Sequence, residues 1–147
     1  MEEILKYENR KTLYQFLIDS YGFKVQEEKY YPDMAGNFYI NLAGGGVLLR
    51  YYNDRNFLSV DIASKDEIEN LYALSFIKDL IYNPDAINAD ETIKDNATRI
   101  EELNIFLLKD FDKICELFSE TNYPNTKKRL DEGLRKQFFL THPTQKK

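Results

Sequence analysis

Tryptophan is absent from the 147 residues, and cysteine and histidine occur once each, as Cys115 and His142. One thiol excludes an internal disulfide and points to a reducing compartment. A single thiol with a single imidazole also cannot assemble the usual zinc ligand sets. Triad and histidine acid-base mechanisms need an imidazole held in a cleft, whereas His142 stands in THPTQKK, a tail expected to fray. No run approaches the roughly 18 apolar residues of a membrane helix. The opening MEEILKYENRK has neither a basic region nor an apolar segment, so the expected compartment is the cytoplasm and no membrane partner is implied. Proline (4) and glycine (6) are sparse, and no linker, repeat or low-complexity tract divides the chain. One domain over residues 1–147 is expected, with 141–147 a flexible basic tail.

What is plentiful is aromatic and acidic. Eleven Tyr and ten Phe supply large contact areas, and the tyrosine hydroxyl lets a ring serve a core or a wet recognition surface. Residues 1–121 carry 13 Lys and Arg against 23 Asp and Glu, a net of −10; residues 122–147 carry 7 against 2, a net of +5. An acidic body argues against nucleic acid, whose phosphates call for clustered cations, and suits a basic protein partner.

Hydrophobic spacing orders the elements. Leu13, Phe16 and Leu17 form one helical stripe from about Asn9 to Tyr21, with Gly22 placed for a left-handed C-terminal residue. FKVQEEKYY (23–31) has strand-forming residues but no clean apolar face, as an edge strand does. FYINL, VLLRYY and FLSVDIA follow, joined by AGGG (43–46) and NDRN (53–56), both rich in turn chemistry. Four-residue loops would pair Leu42 with Val47 and Tyr52 with Phe57. Phe38, Ile40, Leu42, Val47, Leu49, Tyr51, Leu58, Val60 and Ile62 then share one face. The other face reads as three rows: Asn41, Leu48, Asp61; Tyr39, Arg50, Ser59; Asn37, Tyr52, Phe57. Ser64 and Glu67 have the spacing of a capping box, so a helix is expected from there to the Asn83-Pro84 stop. PDAINADETIKDNA reads as a loop. A long helix spans about Asn96 to Ser119 on Ile100, Leu103, Leu107, Phe111, Ile114 and Phe118, NYPN breaks it, and a basic helix runs from Thr126 to about Leu140. The fold class is therefore α+β: an N-terminal helix, an antiparallel meander of three to four strands, and three helices packed on one sheet face.

Few residues stand out as chemistry. Cys115 beside Ile114 reads as a small buried side chain. The glycines of AGGG lead into a strand, not a helix, which fits a turn of positive φ better than a phosphate loop. Asp85, Asp90, Glu91 and Asp95 lack the pattern that organises calcium. No catalytic residue, metal or cofactor is assigned. A small enzyme using paired carboxylates stays open as an alternative, since two acids suffice for glycoside hydrolysis.

The second sheet face is the candidate site. Tyr39, Arg50, Tyr52, Phe57 and Asp61 combine rings with opposite charges, and Arg50 falls diagonal to Asp61 in reach of an ion pair. Either the first or last helix crosses this face and satisfies its polar groups, or it is open as a partner-binding surface rich in hot-spot residue types. LYQFLIDSYGF before a meander, and RYYNDRNFLSVDIAS leading into a helix, resemble small acidic bacterial immunity proteins of polymorphic toxin systems, a likeness covering residues 10–83. The resemblance implies a non-catalytic inhibitor that binds and neutralises a cognate toxin, such as a basic toxin domain. A self-associating structural or adaptor protein is the other alternative, and the sequence leaves monomer and homodimer open.

Overall fold

The structure, a computed structural model, describes residues 2–84 and 94–141, with side chains to residue 136. His142, the tail 142–147, Phe138 as a side chain, and Asp85, Asp90 and Glu91 lie outside the described residues. Two short 3-10 turns, Glu3–Leu5 and Tyr7–Asn9, lead into α1 (Lys11–Tyr21). Gly22 (φ +67°) ends α1, its N–H donating to Ile18 O at 3.1 Å. A positive φ costs glycine little, so the expected stop is kept.

Five antiparallel strands follow in chain order: β1 (Lys24–Tyr31), β2 (Asn37–Gly44), β3 (Val47–Asp54), β4 (Phe57–Ser64) and β5 (Tyr72–Ala73). That is one more than the expected three to four. β5 is two residues long and pairs with Asp61 and Ile62. β1 is the outermost strand, broken by an irregularity between Val25 and Glu27. All its side chains are exposed except the half-buried Glu28.

The hairpins are tighter than expected. Gly44 pairs with Val47 and Asp54 with Phe57, so each turn has two residues, not four. All four turn residues have positive φ: Gly45 +60°, Gly46 +82°, Arg55 +50° and Asn56 +67°. Two left-handed residues make a hairpin turn that matches strand twist. The register therefore slides by two, and because side chains alternate with a period of two, both faces keep their members. The nine residues of the apolar face are all buried, none more than 2% exposed.

The helix expected from Ser64 starts ten residues later, as α2 (Leu74–Tyr82). Ser64 Oγ accepts from Asp66 N at 3.3 Å, and Glu67 accepts from Asn70 Nδ2 and, at 2.6 Å, from Lys127 Nζ. The capping box does not form, and its glutamate is taken by a local partner, Asn70, and a distant one, Lys127. Ile68, placed on that helix by its spacing, is exposed.

Asp95 caps α3 (Asn96–Leu117), its carboxylate accepting from Thr98 N at 2.7 Å. α3 bends at Asp110 (φ −116°, ψ 21°), a buried carboxylate that accepts from Tyr82 Oη at 2.6 Å. α4 (Tyr123–Thr141) begins three residues before its expected start. All four helices bury apolar side chains against the Phe38, Tyr51 and Ile62 face, in one core that includes Leu17, Ile77, Leu103 and Leu130. Tyr51 crosses that core. Its hydroxyl donates to Asn104 Oδ1 at 2.6 Å, and Asn104 Nδ2 donates to Leu13 O at 3.1 Å, tying β3, α3 and α1 together. Burial pushes the Tyr51 phenol far up, so it stays a donor. Among the described residues no helix is long and apolar enough to cross a membrane.

Candidate functional site

The face away from the helical core carries Glu27, Lys29 and Tyr31 of β1, Tyr39 and Asn41 of β2, Arg50 and Tyr52 of β3, and Phe57, Ser59 and Asp61 of β4. The two-residue slide rewrites its rows. Asn41, Arg50 and Asp61 stand in one line across three strands, and Tyr39, Tyr52 and Ser59 in the next. Arg50 and Asp61 are thus direct cross-strand neighbours and not a diagonal pair.

Arg50 is fixed from two sides. Its Nε donates to Asn41 Oδ1 at 2.8 Å, and its guanidinium carbon sits 4.4 Å from the centre of the Tyr39 ring. Tyr39 is held in turn by donating its hydroxyl to the Glu27 carboxylate. That hydrogen bond, with a smaller effect of burial, raises the Tyr39 pKa. An arginine held this way loses little side-chain freedom when a partner docks on it.

A concavity of about 470 Å³ opens on this face, and Tyr31, Met34, Asn37, Tyr39, Arg50, Tyr52, Asp54 and Asp61 line it. Four of the five residues assigned from the sequence meet there: Tyr39, Arg50, Tyr52 and Asp61. Phe57 does not line it. Its ring lies 6.4 Å from that of Tyr52, under the Arg99 guanidinium at 4.2 Å, so α3 covers it. Tyr31, Met34 and Asp54 were not singled out from sequence. Tyr31 has the parity of Lys29 and could have been placed on this face by extending the alternation into β1. Met34 belongs to a turn, where no periodicity applies.

Asn96 and Arg99 explain how Phe57 is held. Opposite β3, the margin of β4 near Leu58 has no strand neighbour among the described residues, because β5 reaches only Asp61 and Ile62. Asn96 Oδ1 accepts from Leu58 N at 3.0 Å and Asn96 Nδ2 donates to Asn56 O at 2.9 Å, while Arg99 Nη1 donates to Leu58 O at 2.8 Å. These side chains do the work of a missing strand. A signal existed in the sequence, because Asn96 and Arg99 precede Ile100 and Leu103 on the apolar stripe of α3, where polar residues are out of place.

Cys115, expected to be buried, is half-buried against the hairpin turn: a Cβ added to Gly45 would lie 2.8 Å from its Sγ. Burial, with Asp112 nearby, pushes its thiol pKa up. Among the described residues no three His, Cys, Asp or Glu side chains gather as metal ligands would. Comparison with known proteins returns no match, whether by family model, by curated sequence or by solved structure.

Proposed function

We propose that the protein is a non-catalytic binding module, an immunity-like inhibitor that neutralises a toxin domain, and that its contact surface is the sheet face away from the helices. The observation that carries this reading is the pre-ordered Arg50, stacked on Tyr39 and hydrogen-bonded to Asn41, at the floor of an open, tyrosine-lined concavity. Tyr and Arg dominate binding hot spots because they combine area with hydrogen bonding. The acidic body supports a basic partner, through steering of the encounter. The sequence resemblance supports the inhibitor role.

The test is to survey the gene's neighbourhood for a toxin domain and to co-express the protein with any that is found there, reading growth rescue and affinity; a neighbourhood with no toxin gene counts against the proposal. Arg50→Gln is the informative variant. Arg50→Glu would set two carboxylates side by side, because Asp61 lies directly opposite, and like charges there destabilise the sheet itself. Arg50→Gln is expected to weaken binding about tenfold and to abolish rescue with the melting temperature within about 2 °C of wild type. Full rescue by a folded Arg50→Gln protein would sink the proposed surface.

A further inference from the structure

We infer that the outer margin of β1 pairs, antiparallel and about a two-fold axis, with the same margin of a second copy of this chain. That margin is a part of the sheet the binding reading above does not use. Among the described residues no strand lies beyond β1. Four of the eight large apolar side chains exposed among the described residues lie on β1 or in the turn after it: Val25, Tyr30, Tyr31 and Met34. Such a concentration marks an interaction surface. The register shows which backbone groups are available there. Gly44 and Val47 close a two-residue turn, so they exchange both backbone hydrogen bonds, and bonded pairs recur at every second residue. On β2 that sends the N–H and C=O of Phe38, Ile40 and Leu42 to β3, and those of Asn37, Tyr39 and Asn41 to β1. Their partners Tyr31, Lys29 and Glu27 are thereby satisfied. Glu28 and Tyr30 point both groups outward, and among the described residues no backbone group outside the ladder bonds them.

Charge selects the occupant and the register. In a two-fold pair centred on Glu28, Glu27 of each copy stands opposite Lys29 of the other, on the face these residues share, which makes two cross-strand ion pairs. Glu27 already accepts from the Tyr39 hydroxyl, and a carboxylate has room for further donors. The two Glu28 side chains meet at the axis, each neutralised by its own Arg10 at 3.0 Å. Centring the pair on Lys29 instead sets two exposed lysines directly opposite each other, which is unfavourable. The mixed run Glu27-Glu28-Lys29 repels most strands, as edge charges do, yet complements its own copy running in reverse. Antiparallel pairing also brings the Tyr30 and Tyr31 end of one strand beside the Val25 end of the other, covering apolar surface that is open in the single chain.

The experiment measures mass by sedimentation velocity from about 10 µM to about 1 mM, a range suited to a small interface, with amide exchange read by NMR at both ends. Mass is expected to rise from monomer toward dimer. The amides of Glu28 and Tyr30 should gain about fivefold protection at the upper end, while those of Glu27 and Lys29 are protected throughout. Lys29→Glu and Glu27→Lys, both at exposed side chains, should each weaken the dimer about tenfold without moving the thermal midpoint. An equimolar mixture of the two variants should associate as strongly as wild type, because each then faces opposite charges. A monomer throughout the range would overturn the inference and leave the margin to a strand of another protein. Full protection of Glu28 and Tyr30 in the monomer would overturn it too, by placing part of the same chain over the edge. So would a dimer in which those two amides exchange freely. No toxin enters the measurement, so its failure and that of the proposed binding face are scored separately.

Discussion

Removing the Asn96 amide isolates the cost of an unserved strand margin. In Asn96→Ala the N–H of Leu58, a fully buried residue, loses its acceptor, Asn56 O loses a donor, and Arg99 Nη1 loses an acceptor at 2.7 Å. Leaving a buried donor unmade costs about 1–3 kcal/mol. The Asn56 carbonyl sits in an exposed turn, where water can replace the amide, and Arg99 keeps Leu58 O and Lys94 O. The expected loss is therefore about 2–3 kcal/mol, carried mainly by Leu58. For a chain of this size that lowers the thermal midpoint by roughly 5–10 °C. Asn96→Asp keeps the acceptor for Leu58 and Arg99 and gives up only the donor to Asn56, so it should cost less than half as much. Urea denaturation read by circular dichroism gives both values. Amide exchange locates them, because Leu58 should lose protection in the alanine variant alone. A loss below about 0.5 kcal/mol in Asn96→Ala, with Leu58 still protected, would refute the view that this side chain stands in for a strand.

The first hairpin turn offers a paired test. Gly45→Ala meets both a positive φ and a clash, its Cβ 2.8 Å from Cys115 Sγ and 2.9 Å from Phe111 Cζ, whereas Gly46→Ala at φ +82° meets open space; expected costs are about 2–4 and about 1 kcal/mol, and equal urea midpoints would refute the contact. Glu28 bonds Arg10 Nε at 3.0 Å, and that hydrogen bond holds its carboxyl below the usual 4.5. A depressed carboxyl stabilises the fold above its unfolded value, and the gain fades as pH falls through the folded one. Wild type should thus exceed Glu28→Gln by about 1 kcal/mol at pH 7 and by almost nothing well below pH 4. A gap that stays constant down to pH 3 would exclude the ion pair as its source.

The faces of the sheet were legible because alternation is insensitive to an even slip. Phe38, Tyr51 and Ile62 stay together whether the turns hold two residues or four. The register itself was not. Gly45-Gly46 announces a left-handed turn, but Arg55 at φ +50° does not, since an arginine rarely adopts that conformation. Loop length was therefore overestimated at both joints, and Arg50 was set diagonal to the residue it faces. The capping box misled for a different reason: Ser64 and Glu67 have the local spacing of a helix start, yet Lys127 and Asn70 reach Glu67 first. Local propensity yields to a tertiary partner such as Lys127. Within the candidate site, Arg50 and the two inner tyrosines follow from parity alone. Tyr31 follows by extending the same alternation to the end of β1, whereas Met34 depends on how the β1–β2 turn folds, which no periodicity records.

The two margins of the sheet differ in what they allow. On one flank Asn96 and Arg99 occupy the backbone groups of Leu58 beside a strand only two residues long. On the other, β1 presents eight residues with no strand beyond them among the described residues. Fibrous growth by strand addition needs two receptive sides on every molecule, one to receive and one to give. Among the described residues this sheet offers one, so two copies that meet along β1 would exhaust each other's capacity, and assembly by that route would end at a pair.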